Sequence, residues 1–195
     1  MSRPDVALDR ASYLDGPVSH TGPTVRLREA TLDDAAFVDG RAGNPASIGE
    51  FNDFGLPPPK TLAENLAGGK RMVTPEKGQL LIERRSDGVL IGDIGWHSVH
   101  YGPGDRSRAL NVGLSLIPEA RGQGFGTEAQ RLIAELLFGL FDIERIEAST
   151  DVENIAEQRS LEKAGYTREG VIRRAQWRAG AYHDLVSYSI LREEL

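Results

Sequence analysis

"NVGLSLIPEARGQGFGTEAQ" (Asn111 to Gln130) decides how the rest of the chain is read. Its first part is an apolar run that ends at Pro118 and reads as a strand. Glycines follow at 122, 124 and 126. Directly after them Ala129, Leu132, Ile133, Leu136, Leu137 and Leu140 recur at three-and-four spacing, which predicts a helix. Glycines this dense lose backbone entropy on folding and contribute nothing to packing. Bare amides at a helix start can instead converge on an anion, and the helix dipole adds attraction. Two familiar phosphate loops do not fit. No lysine follows Gly126, as a Walker A loop requires. Gly126 follows Gly124 by two places where the dinucleotide fingerprint needs three, although Glu147 lies about twenty residues on, on the next strand, as that fingerprint's acidic residue would.

Working outward, "TVRLREA" (Thr24 to Ala30) alternates as a half-buried strand does, and Thr31 with Asp34 marks a helix start. A loop is expected from Gly43 to Pro59, stiffened at Pro57 to Pro59, before a short helix around "TLAENLAG". "QLLIERRSDGVLIGDIGWHSVH" gives two strands joined at Ser86-Asp87-Gly88. Downstream, "IERIEAST" is a strand and "NIAEQRSLEKAG" a helix stopped by Gly165. Two antiparallel strands around Arg178-Ala179-Gly180 complete the chain. The fold class is α/β (mixed α+β), with one mixed, mostly antiparallel central sheet of about six to seven strands flanked by helices. Residues 1–22 read as an N-terminal extension and 23–195 as a single domain.

The chain has 195 residues, 39% of them hydrophobic and 27% charged, enough apolar material for one core. It has no cysteine, which excludes disulfides, thiolate metal sites and a cysteine nucleophile. A net charge of −6 argues against a general nucleic-acid binder. No secretory signal or membrane-spanning run is legible, so a cytoplasmic protein without membrane partners is expected. The four histidines, His20, His97, His100 and His183, have no usual metal-ligand spacing, and no metal is expected.

Arg121, Gly124 and Gly126 meet the Arg/Gln-x-x-Gly-x-Gly/Ala turn of the GNAT superfamily of N-acetyltransferases, which the chain resembles from Thr24 to its C-terminus. Its branch similar to the ribosomal-protein alanine N-acetyltransferases writes this turn "rGkGyatEA", against "RGQGFGTEA" here. "NIAEQRSLEKAGYTREG" approaches that branch's "N-x-x-S…e-k-l-G-F…e-G", and Asp184, Tyr188, Ile190 and Glu193 meet its closing pattern. The resemblance implies acetyl-CoA or another acyl-CoA as cosubstrate. Its pyrophosphate would lie on the turn amides of Arg121, Gly122, Gln123, Gly124, Phe125 and Gly126, with Thr127 in the first helical turn. Its pantetheine would pair with the strand backbone at Leu114, Leu116 and Ile117, and Asn154 would contact the arm. The resemblance also implies a splay between the fourth and fifth predicted strands, with the thioester in the gap. Asn154 equally fits a helix N-cap, with Glu157 completing a capping box.

Transfer to an amine requires that the amine lose a proton. Asn111 stands where many branch members carry a glutamate, and Leu161 where the wider superfamily has a tyrosine acid. Candidate replacements are His97, His100 and, on the thiol side, Tyr188; Asp93 shares a strand face with His97. The amide of Leu114 is the candidate oxyanion donor. Trp96 and Trp177 line an acceptor pocket or serve packing. Without cysteine the acyl group would pass directly to a primary amine of a protein N-terminus or small molecule. A homodimer is allowed for. The alternative is a non-catalytic acyl-CoA-binding sensor or scaffold, motivated by the missing glutamate and tyrosine.

Overall fold

The computed structural model describes residues 16–41, 44, 47, 49–52, 61–67 and 73–195. Most of the expected 43–59 loop, including Pro57 to Pro59, and most of the N-terminal arm lie outside them. The strands are β1 (Ser19–Thr21), β2 (Val25–Arg28), β3 (Lys77–Arg84), β4 (Leu90–His100), β5 (Arg108–Leu116), β6 (Arg145–Asp151), β7 (Thr167–Arg178) and β8 (Ala181–Leu191). The helices are α1 (Ala35–Arg41), α2 (Leu62–Ala67), α3 (Phe125–Leu140) and α4 (Ile155–Ala164).

All eight strands form one sheet in the order β1-β2-β3-β4-β5-β6-β8-β7, antiparallel except for β5 against β6. The strand beyond the expected count is β1, which pairs Ser19 with Arg28 and Thr21 with Arg26. Three residues are too few to show a period of two, so pairing rather than pattern makes this strand.

The two faces of the sheet differ sharply. One presents Leu80, Ile94, Trp96, Leu110, Val112, Ile146, Ala148, Val186, Tyr188 and Ile190, all buried with the inner stripe of α3. On the other face the paired positions run Lys77, His97, Asn111, Glu147 and Ser189 in one row, and Leu81, Asp93 and Ser115 in another. Helix α1 reaches this polar face through Arg41. Its Nη2 donates to Ser115 Oγ at 2.8 Å and lies 3.1 Å from Asp93 Oδ1.

Each helix has an identifiable boundary. Before α1, Thr31 N donates to Asp34 Oδ2 at 2.7 Å, the bond anticipated from Thr31 and Asp34. Bonds from Arg28 hold the same carboxyl down at about 2. Gly165 ends α4 at φ +99°, a left-handed conformation that favours glycine.

The parallel pair is short. β5 and β6 are joined only through Leu110–Ile146, Asn111–Glu147 and Val112–Ala148. Beyond that point β5 continues along β4 to Leu116, while β6 continues along β8 to Asp151. Two neighbouring strands that each keep an outer partner but drop each other leave a wedge-shaped gap. This is the splay anticipated from the resemblance.

Candidate functional site

The glycine turn sits at the mouth of that gap. Gly122 and Gly124 have φ of +72° and +88°, so the chain can make this turn cheaply only with glycine there. Gly124 is the N-cap of α3 and no side chain caps the helix. The first intrahelical bond runs from Glu128 N to Gly124 O at 3.1 Å. The amides of Gly124, Phe125, Gly126 and Thr127 are therefore left without an intrahelical acceptor. Among the described residues a Cβ at Gly122 or Gly124 would meet nothing within 4 Å, so none of them covers the turn. Free donors, open space and the positive end of a 16-residue helix suit a phosphate group.

The backbone of β5 supplies the wall below. Ile117 N donates to Ile91 O on β4 at 2.9 Å, which fixes the side to which that amide points. Strand alternation then turns the amides and carbonyls of Leu116 and Leu114 into the gap, and that of Ile117 away from it. Arg121, expected at the phosphates, folds back instead. Its Nε donates to Leu116 O at 3.0 Å and its Nη2 to Ser47 O at 3.4 Å.

Between α3 and α4 a polar chain links the two helix starts. Thr127 Oγ1 and Ser160 Oγ are 3.0 Å apart, Ser160 Oγ donates to Gln130 Oε1 at 2.8 Å, and Gln130 Nε2 donates to Glu157 Oε1 at 2.5 Å. Asn154 Oδ1 accepts the Glu157 amide at 3.3 Å, as an N-cap should, while Asn154 Nδ2 donates to Thr150 Oγ1 at 3.0 Å. The expected capping box is only half made, because the Glu157 carboxyl turns to Gln130. Burial pushes that carboxyl up to about 7, against the lowering by the Gln130 amide.

On the polar face, His97 is exposed and shares its row with Asn111 and Glu147, at the foot of the splay. Burial raises the Asp93 carboxyl, opposed by Arg41 and by Gln79, whose Nε2 donates at 3.0 Å. The other acid–base candidates lie elsewhere. His100 pairs with Arg108 at the far end of β4, on the face opposite His97. Tyr188 is wholly buried on the helix side, and its hydroxyl donates to Glu162 Oε1 at 3.1 Å. Its even position in β8 turns it away from the polar face. Trp96 is a core residue whose Nε1 donates to Thr74 O at 3.1 Å, and Trp177 stacks edge-on against Tyr182 at the hairpin tip.

Sequence reasoning weighed Glu147 only as the acidic residue of a dinucleotide site; it is a buried carboxylate that accepts from Tyr101 Oη at 2.6 Å and from Arg145 Nε at 2.6 Å. That reasoning passed over the buried Asp151–Arg178 pair, joined by His183 Nδ1 at 3.1 Å from Asp151 Oδ2. The alternation of "IERIEASTD" could have placed Glu147 and Asp151 on one face; apart from Arg145 on the same strand, their partners come from β7, β8 and the loop before β5. Among the described residues no group of three or more His, Cys, Asp or Glu could hold a metal ion. No helix of these residues is long and apolar enough to cross a membrane.

Residues 24–167 match the model of the acetyltransferase (GNAT) domain. The "uncharacterized N-acetyltransferase YoaA" of Bacillus subtilis is 33% identical over 111 residues, which are 57% of this chain and 60% of that protein. The match thus spans less than two thirds of this relative's length. In fold, the chain is similar to Mycobacterium smegmatis RimJ in complex with CoA-disulfide, with a TM-score of 0.70 and 22% identity over 92% of this chain and 90% of that one. Vibrio cholerae spermidine N-acetyltransferase in complex with CoA and spermine also gives a TM-score of 0.70, at 20% identity, covering 87% of this chain and 96% of that one.

Proposed function

We infer, from the premise that the chain belongs to the GNAT acetyltransferase family, that it is an N-acetyltransferase using acetyl-CoA or a related acyl-CoA. The acyl group passes directly to a primary amine. The observation that carries this is the set of free amides at the start of α3, opening onto the wedge between β5 and β6. Those amides would hold the pyrophosphate, and the backbone of Leu114 and Leu116 would pair with the pantetheine arm. The bound thioester supplies the activated acyl carbon. The amide of Leu114 is aimed where the carbonyl oxygen gathers charge as the amine attacks. The C–N bond forms, the C–S bond breaks, and CoA leaves as the thiolate, which takes a proton from solvent.

The amine's proton must go to a base. His97 is the acid–base candidate on the polar face at the foot of the gap, and it takes the proton directly or through water. Leu161, at the position of the usual acid, is buried and apolar. Proximity of amine and thioester then carries much of the rate. The acceptor is a protein N-terminus or a small amine; spermidine N-acetyltransferase, similar in fold, represents the second chemistry. A binding module without transfer is the second reading, favoured by Asn111 and Leu161 at the positions of the usual base and acid.

A thiol-reagent assay for CoA release from acetyl-CoA, run over alanyl peptides, polyamines and simple amines, separates the two. Transfer is expected, with the acidic limb of the kcat/KM profile lost and the rate down about a hundredfold in His97→Ala. Acetyl-CoA binding without release on any amine would leave the binding module standing.

A further inference from the structure

Gly113 lies in β5, the fifth of eight strands, yet it is exposed. The other glycines of strands β3 to β5 have reasons within the protein. A Cβ at Gly78 would lie 2.2 Å from the Trp96 ring, one at Gly92 would lie 2.3 Å from Ser115 O, and one at Gly95 would lie 3.0 Å from Gly78 O. At Gly113 a Cβ would meet nothing within 4 Å among the described residues, and the backbone is ordinary strand. Glycine inside a strand weakens it by roughly 0.5–1 kcal/mol and gives no side chain to pack. Nothing among the described residues requires that loss here, which leaves the position open to a ligand.

We propose that Gly113, with Gly95 beside it, is the floor of the acceptor site, left bare so that a slender primary amine can reach the thioester gap. This rests on the acyl-transfer reading above. The two glycines are directly paired. They lie between the row of His97 and Asn111 and the row of Asp93 and Ser115, which are about 13 Å apart along the strands. Both ends of the slot carry hydrogen-bonding groups, and Arg41 fixes Ser115 and Asp93 at one of them. Leu114, next to Gly113, turns its amide into the gap. An amine lying on the floor is therefore one residue from the point of attack. A bare strip two strands wide, about 5 Å, suits nitrogen on an unbranched carbon or on a residue as small as alanine. A bulky or branched acceptor would need the walls to move.

Gly113→Val and Gly113→Ala fill the floor in steps without strain in the chain itself. For the amine that wild type acetylates best, kcat/KM should fall about tenfold or more in the valine variant and less in the alanine variant. Acetyl-CoA affinity by calorimetry should stay within about twofold, because the cofactor is held by the turn amides and by the gap-facing backbone of Leu114 and Leu116, not by the sheet face over Gly113. Unchanged kcat/KM in Gly113→Val would overturn the acceptor floor. So would a parallel loss of acetyl-CoA affinity, which would give the space to the cosubstrate. A wild type that binds acetyl-CoA yet acetylates no amine overturns the transfer reading itself.

Discussion

Glu157 shows how one side chain can be written into the sequence for a role it does not take. Its place three residues after Asn154 suggests a reciprocal cap, but the carboxyl turns to Gln130 and is held without a cation. Its pKa rises from 4.5 to about 7 through burial, with the buried Tyr166 among its neighbours. A raised carboxyl binds more protons folded than unfolded in this window. Its contribution to stability is full below about pH 4.5 and is lost as pH rises through 7. Urea unfolding at pH 5 and pH 8 should show wild type losing roughly 2 kcal/mol more than Glu157→Gln across that range. Parallel losses in the two proteins would mean the carboxyl ionises freely.

At the scale of elements, the strand–turn–helix unit from β5 to α3 carries the proposed cofactor site. The left-handed conformation of Gly124 aligns the four free amides, and any other L-residue there costs about 1–2 kcal/mol or shifts the turn. Gly124→Ala should stay folded and bind acetyl-CoA about tenfold more weakly, read by calorimetry. Unchanged affinity in a folded variant would remove the turn from the site. This unit was legible because its signals are local: an apolar strand, glycine spacing and a helical period within thirty residues. The half-made cap at Asn154 was only partly legible, since the partner that draws Glu157 away comes from α3.

Over the whole molecule, the β7–β8 hairpin is fastened to the end of β6 through Arg178. Its guanidinium pairs with buried Asp151, donates to Glu50 O at 2.9 Å and lies over the Phe51 ring. Removing one partner leaves the other charge buried and unpaired. Asp151→Ala should therefore destabilise by about 3–5 kcal/mol in denaturant unfolding. A loss under 1 kcal/mol would show that the arginine finds water or another acceptor. The same pair borders the open end of the splay, so the variant also tests whether the hairpin holds the gap in shape.

The sequence by itself determined the order of the helices and of the strands from β2 onward, the glycine turn whose amides suit an anion and the absence of a cysteine relay, because each depends on residues near one another in the chain. It also put His97 and His100 on opposite faces, since alternation along one strand is local. Only the tertiary structure decided which side chains share a row. His97, Asn111 and Glu147 come from three strands, and their alignment depends on pairings across dozens of residues. A slip of one position in any of those strands would send its side chains to the other face. The burial of Tyr188 and the exposure of Gly113 have the same origin. Both follow from what the other described residues bring, or do not bring, against that point of the sheet.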